Sequence, residues 1–276
     1  MARTIGQKRA DFRALHDAGC FVIPNPWDVG SARMLEGLGF KALATTSSGF
    51  AWSQGAPDYG MPRAAVLEHL RELVAATDLP LNADFESGYA EDPEGVAESV
   101  RMAVDTGVAG LSIEDSSGRD DAPIRPLDEA VARLRAARRA IDESRTGTLL
   151  VGRCENFWLG TADLDDTIRR LEAYSEAGAD CLYAPGIRTR EEIVAVVRAV
   201  APKPVNLLVG GESAFTVKDI AAMGVRRISV GGALARAAWA GVLRAARAIA
   251  EGGRFDGFAG ATPGKELNNF FGSRRH

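Results

Sequence analysis

The chain has 276 residues, 46% hydrophobic and 25% charged, with a formal net charge of −4 and a pI near 5.6. That length suits one large α/β domain, and the mild acidity argues against nucleic acid or an anionic membrane as a partner. No apolar run is long enough to span a bilayer and none near Met1 resembles a signal peptide, so a cytoplasmic protein is expected.

Residues 5–18 read as a helix that precedes the first strand, residues 20–24. Asn25-Pro26-Trp27-Asp28 is a turn, and residues 30–37 are a helix. The second strand, 41–45, ends in the polar run Thr46-Ser47-Ser48-Gly49, and a long connection over 50–61 leads to a helix carrying Ala65, Leu67, Leu70 and Val74. The third strand, 80–83, stops in Asp84-Phe85-Glu86-Ser87-Gly88-Tyr89. Asp92 then serves as N-cap with Pro93 at the first helical position, and Gly107 ends that helix. The fourth strand, 109–113, runs into Glu114-Asp115, followed by a polar loop to Arg125 and a helix over 126–143. The fifth, 148–152, ends in Arg153-Cys154-Glu155-Asn156. Helices over 164–177, 191–200, 214–223 and 234–250 alternate with strands over 180–184, 204–209 and 226–230.

Regular alternation of buried strands and helices, repeated eight times, predicts a parallel sheet closed into a (β/α)₈ barrel of TIM type. An open doubly wound sheet is the competing arrangement, but no Gly-rich dinucleotide fingerprint follows the first strand. A single barrel domain is expected over 1–276, with an N-terminal helix (1–18), the barrel (19–250) and a tail (251–276). The tail holds a small apolar cluster, Leu267, Phe270 and Phe271, suited to a neighbouring subunit or to fraying.

In such a barrel every strand C-terminus opens onto one face. Carboxylates two apart at a strand end point the same way, so Asp84 and Glu86, with Glu114 from the next strand, form a candidate site for a hard divalent cation. The three cysteines (Cys20, Cys154 and Cys181) lack a Cys-x-x-Cys pair, and two of the three histidines, His16 and His69, sit in helical patterns. Any metal is therefore expected on oxygen ligands, Mg²⁺ or alternatively Mn²⁺. Arg153 suits bidentate capture of a carboxylate, although an ion pair with Glu155 is the plain structural alternative. Ser48-Gly49 offers backbone donors, Asn206 stands at the seventh strand, and Asp58 lies in the loop after the second. Gly210-Gly211 and Gly231-Gly232 either cradle an anion or only turn the chain. Together these fit a small anionic substrate, a Mg²⁺-chelated 2-oxo acid that becomes an enolate as its β-substituent leaves.

As a set and in order, Pro24-Asn25-Pro26-Trp27-Asp28, Thr46-Ser47-Ser48-Gly49, Asp58, Asp84-Phe85-Glu86-Ser87-Gly88-Tyr89, Ile113-Glu114-Asp115 and Gly152-Arg153-Cys154-Glu155-Asn156 resemble the isocitrate lyase/phosphoenolpyruvate mutase superfamily. The resemblance implies a modified barrel whose eighth helix is exchanged between subunits of a homodimer, with dimers paired into a homotetramer. It implies metal binding by Asp84, with Glu86 and Glu114 acting largely through metal-bound water. It further implies a carboxylate clamp at Arg153, a backbone cradle at Ser48, Gly49 and Phe50, and a leaving-group contact at Asp58. Lyases of this superfamily carry a Lys-x-Cys-Gly-His loop after the fourth strand, and the mutases a gating lysine and asparagine. Here that loop is Ser116-Ser117-Gly118-Arg119-Asp120-Asp121-Ala122-Pro123, with none of them. Decarboxylation of an oxaloacetate-like acid demands least of such a loop. The expectation is a Mg²⁺-dependent lyase for a small 2-oxo or 2-hydroxy carboxylate. The alternatives are phosphorus–carbon chemistry on a phosphonopyruvate-like compound and a barrel that binds a 2-oxo acid without turnover.

Overall fold

The computed structural model describes residues 3–272. Helix α1 (Ile5–Leu15) leads into β1 (Phe21–Ile23), α2 (Val29–Gly37), β2 (Leu43–Ala44), α3 (Ser47–Ser53) and α4 (Arg63–Ala76). Then come β3 (Leu81–Asp84), α5 (Pro93–Asp105), β4 (Gly110–Glu114), α6 (Leu127–Ser144), β5 (Leu149–Arg153) and α7 (Leu164–Glu176). The chain continues through β6 (Cys181–Tyr183), α8 (Arg190–Ala199), β7 (Val205–Leu208), α9 (Val217–Ala222), β8 (Arg227–Ser229) and α10 (Ala233–Gly252). A 3₁₀ turn (Asp256–Phe258) and α11 (Gly264–Gly272) complete it. No helix among the described residues is long and apolar enough to cross a membrane.

All ladders are parallel, and the eight strands follow the order β1-β8-β7-β6-β5-β4-β3-β2, a nearly closed (β/α)₈ barrel. The seam between β1 and β2 is bridged by the Ala44 amide on the Pro24 carbonyl at 3.1 Å. Asn25 reinforces it: its Nδ2 donates to the Thr45 carbonyl at 2.8 Å, while its Oδ1 accepts the Val230 and Gly231 amides, each at 2.9 Å. One short side chain thus ties the ends of β1, β2 and β8 together at the face where the strands terminate.

Alternation along the strands sorts side chains into two cores. Ala83, Leu111 and Ile113 face outward into the layer shared with α4, α5 and α6. Phe12, Ile23, Ala42, Ala44, Ala109 and Leu149 fill the lower end of the barrel, with α1 acting as a plug. Gly110 is required there, because a Cβ would meet Asn82 Oδ1 at 2.7 Å and Phe12 Cε1 at 2.8 Å. Buried Lys8 and Arg9 pin the plug, Lys8 donating to the Val74 and Thr77 carbonyls and Arg9 to those of Val104 and Val108, at the ends of α4 and α5.

Two segments differ from the reading of the sequence. The stretch expected as turn and loop after the second strand begins with α3, whose N-cap Thr46 accepts the Gly49 amide. A seven-residue helix containing Ser, Gly and Ser carries too little periodicity to be read in advance. The tail holds α11, which lies against α2, whereas its last residues, 273–276, fall outside the described part.

The eighth helix does not pack as a barrel wall. Ala235 is the buried residue of α10, whose main partner is the 3₁₀ turn that follows it. Trp239, Val242 and Leu243 stay 40%, 56% and 49% exposed. These side chains form an apolar stripe at the surface.

Because Phe12 is fully buried at the plug, Phe12→Ala should lower unfolding stability by about 3–5 kcal/mol. Urea denaturation followed by circular dichroism measures this; a loss below about 1 kcal/mol would show that α1 does not close the barrel.

Candidate active site

At the C-terminal ends of the strands lies a cavity of about 290 Å³, lined among others by Ser47, Asp58, Tyr59, Asp84, Arg153 and Arg227. Its centre is Arg153. As the last residue of β5 it points inward, and its Nη1 reaches Asp84 Oδ1 and Glu114 Oε2, each at 3.2 Å. Its Nε donates to Glu155 Oε1, and the guanidinium lies over the Tyr183 ring, 5.2 Å from the centroid. Burial works against this charge, yet Glu114, Glu155, Tyr183 and Asp84 together hold the guanidinium protonated well beyond its ordinary range.

Asp84 is positioned from both sides. Its amide donates to Thr45 Oγ1 at 2.8 Å, and its Oδ2 accepts the Ser47 amide at the start of α3 at 3.0 Å. Helix α3 therefore sets its first turn against the carboxylate, a favourable placement for negative charge. Ser47 Oγ donates in turn to Asp58 Oδ1 at 3.2 Å, which also accepts the Tyr59 amide at 3.1 Å. Burial and the nearby Asp84 push the Asp58 carboxyl up. Tyr59 reaches over the cavity to donate its hydroxyl to Glu114 Oε1 at 2.6 Å. It does so from φ +60°, and Glu86 and Tyr89 stand at +45° and +52°. Non-glycine residues seldom adopt this region, and such strain gathers at functional sites.

The expected site residues divide on inspection. Asp58, Asp84 and Arg153 line the cavity, and Glu114 sits directly behind them under Tyr59. The strand stops at Asp84 and Glu86 takes a positive φ, yet the two carboxyls remain neighbours. Asp84 and Glu86 both line a narrow recess beside the cavity, together with Thr46, Ser47, His69 and Tyr89. Glu114 and Asp115 part company. Asp115 faces outward, accepting from Tyr174 Oη at 2.6 Å, Arg170 Nη1 at 3.3 Å and the Glu155 amide at 2.8 Å.

Ser48 lines the cavity, whereas Gly49 and Phe50 lie behind it. Their amides already bond to Thr46, and the Phe50 ring stacks on His69 at 3.9 Å. Asn206 lines the cavity with both ends of its amide in use, Oδ1 toward Arg227 and Nδ2 toward Ser229. Both Gly231 and Gly232 are at the wall, and a Cβ on Gly232 would come within 2.9 Å of Ser48 Oγ. Sequence reasoning missed Tyr59, Tyr183 and Arg227. For Arg227 a signal existed: in Arg226-Arg227-Ile228-Ser229-Val230, Arg227 and Ser229 fall together on one face of the strand.

Hard oxygen donors with more negative than positive charge suit a divalent cation. Asp58, Asp84, Glu86, Glu114 and Glu155 surround Arg153, and Glu155 Oε2 is buried without a partner. Burial raises the Glu114 and Glu155 carboxyls, the expected response to charge left uncompensated. Among the described residues, however, no three His, Cys, Asp or Glu side chains converge on one point. The donor set therefore fits an ion held by Asp84 and water rather than a cage of carboxylates.

Burial, with smaller contributions from Asp84 and Asp58 against the Tyr89 hydrogen bond, pushes Glu86 up to about 7. A carboxyl raised in the folded state loses stabilisation as pH climbs from its unfolded value toward 7. Glu86→Gln should therefore raise the metal-free thermal midpoint relative to the parent at pH 8 and change it little at pH 5. An equal shift at both values would contradict a Glu86 that titrates in this window.

A sequence model of the family described as phosphoenolpyruvate phosphomutase matches residues 12–250. A crystal structure from Burkholderia cenocepacia J2315, provisionally described as a lyase/mutase, is 48% identical with a TM-score of 0.95 over 98% of both chains. An oxaloacetate decarboxylase from Paraburkholderia xenovorans (strain LB400) is 30% identical over 232 residues, 80% of this chain and 74% of that one. A structure of oxaloacetate acetylhydrolase in complex with the product oxalate shares 28% identity and a TM-score of 0.85, covering 97% of this chain and 94% of its own. The chain belongs to the phosphoenolpyruvate phosphomutase family, within the isocitrate lyase/phosphoenolpyruvate mutase superfamily.

Proposed function

We propose that this protein is a Mg²⁺-dependent carbon–carbon lyase for a small 2-oxo or 2-hydroxy carboxylate, with decarboxylation of an oxaloacetate-like acid the first reaction to test. Mn²⁺ is the alternative ion. The observation that carries this reading is Arg153 bridging Asp84 and Glu114 at the mouth of a small polar cavity. When bound, a divalent ion at Asp84 supplies Lewis acidity for the oxo oxygen.

The chain's own residues supply the rest. Ser47 and Arg153 fix the two oxygens of Asp84, so the carboxylate needs little rearrangement during turnover. Asp58, raised by burial, stands at the rim on the side of the leaving group. In decarboxylation the bond between the β-carbon and its carboxyl breaks, the electron pair moves into the enolate, carbon dioxide departs, and water returns a proton to the β-carbon. The segment 116–125 holds no cysteine or histidine and is closed as a hairpin, with the Ser117 amide on the Pro123 carbonyl at 2.8 Å and the Arg125 amide on that of Asp115 at 2.9 Å. Retro-aldol cleavage needs a positioned acid and base, so decarboxylation asks least of this loop. The decarboxylase and acetylhydrolase relatives point to the same compound class.

Assembly through α10 belongs to the same reading: its apolar stripe suits exchange of the helix within a homodimer, with dimers paired into a tetramer. Val242→Asp combined with Leu243→Asp should then lower the mass measured by light scattering, and a monomeric parent protein would refute exchange.

Incubation with oxaloacetate and Mg²⁺ should release pyruvate, and Asp84→Ala should cut the metal-dependent rate on the order of 10²–10³-fold or more. An Asp84→Ala variant with full activity would refute the assignment. In a panel with malate-type, 2-methylisocitrate-type and phosphonopyruvate substrates, phosphate release would establish phosphorus–carbon chemistry instead. Oxalate binding with no product from any acid would make the barrel a non-catalytic 2-oxo acid binder.

A further inference from the structure

Beside the cavity at the strand ends lies a larger one of about 510 Å³, between the loops that follow β6 and β7. The two share Trp158, Leu208, Gly210 and Arg236, so they adjoin across one wall. Gly186 makes that wall possible. Its φ of +101° suits glycine, and a Cβ there would meet Phe157 Cβ at 2.7 Å and the Trp158 amide nitrogen at 3.1 Å. The loop after β6 can therefore press against the segment after β5, and Trp158 stands 52% exposed at the junction. Ile187, Ile193 and Leu207, all buried, give the second cavity an apolar floor. Two cations line the same space, Arg188 and Arg236, against a single acid, Glu212, among the described residues. Arg236 donates to the Gly210 carbonyl, and the Arg188 backbone amide to Glu192. Among the described residues no carboxylate lies within ion-pair distance of either guanidinium.

We propose that this second cavity receives an arm of the substrate, an apolar chain ending in a carboxylate and carried on the β-carbon. For the reacting head group this rests on the lyase reading above; the cavity itself stands on geometry. An apolar arm leaves water for Ile187, Ile193, Leu207 and the Trp158 indole. Its terminal carboxylate then supplies the counter-charge that Arg188 and Arg236 lack, in the planar geometry a guanidinium matches best. An acid no larger than oxaloacetate has no atoms to place there while its head group stays with Asp84 and Arg153. The substrate class is thus an oxaloacetate substituted at its β-carbon by a carboxyalkyl chain. In decarboxylation the bond from the β-carbon to its own carboxyl breaks, the electron pair forms the enolate, carbon dioxide departs, and a proton from water bonds the β-carbon. The arm takes no part and stays attached, so the product is a 2-oxo diacid.

The test is isothermal titration of the full-length protein, with Mg²⁺ present, using stable analogues of such products. Pyruvate, 2-oxoglutarate and 2-oxoadipate form a ladder of arm length, and 2-oxohexanoate matches 2-oxoadipate without the second charge. Affinity should rise along the ladder, and 2-oxoadipate should bind roughly 10-fold tighter than 2-oxohexanoate. Arg188→Met combined with Arg236→Met, both at exposed positions, should abolish that preference. Ala214→Trp, also exposed and lining only the second cavity of the two, should fill it and flatten the ladder while oxalate, which has no arm, binds as before. Equal affinity for the two six-carbon acids, a preference that survives the double substitution, or a ladder that survives Ala214→Trp would overturn the proposal. Turnover of oxaloacetate without any ladder would keep the lyase reading and remove the arm. A ladder in a protein that turns over none of the acids would support the arm and remove the lyase reading.

Discussion

The ion-pair cluster around Arg153 is the constraint on which the site depends. One guanidinium is shared among Asp84, Glu114 and Glu155 in a place almost closed to solvent. In such surroundings charge–charge energies are several times larger than in water, and an unpaired carboxylate is expensive. Arg153 keeps these acids from repelling one another apart, yet it cannot neutralise them all. The remaining negative charge would favour a cation, and burial, reinforced by the neighbouring acids, lifts the carboxyls of Asp58, Glu86 and Glu114.

The barrel delivers that cluster through its geometry. Parallel strands that end together bring Asp84, Glu114 and Arg153 to one face, because each stands at the final inward position of β3, β4 or β5. Their outward neighbour Asp115 braces the arrangement from behind: it ties the Glu155 amide to Tyr174 and Arg170 of α7, fixing the backbone on which Arg153 rides. Closure at Asn25 and the Phe12 plug keep the strands in register beneath the site. Polarity is thereby split along the axis, with acids at the mouth, the cationic Arg227 lower down, and a dry apolar plug beneath.

Much of this was legible in the sequence because it follows local rules. The Asp92-Pro93 helix start, the strand runs and the acids that end them all carry short-range signals, and the barrel follows from counting them. What escaped depends on contacts between distant segments. Helix α3 is stabilised by its cap Thr46 and by the Asp84 carboxylate, thirty-seven positions beyond Ser47. Glu86 adopts a left-handed backbone that no propensity for glutamate would announce. Tyr59 meets Glu114 only once the loop after α3 folds over the barrel mouth. Asn206 was picked out by its position at a strand end, but its bonds to Arg227 and Ser229 form only once β8 lies beside β7.

Surplus carboxylates around Arg153 would make Asp84 the centre of a divalent-cation site. Titration of metal-free protein with Mn²⁺, followed by electron paramagnetic resonance, tests it without reference to any substrate. The parent protein should show saturable uptake of a single ion per chain, and Asp84→Asn should lose it. No uptake by the parent, or equal uptake by both proteins, would contradict it.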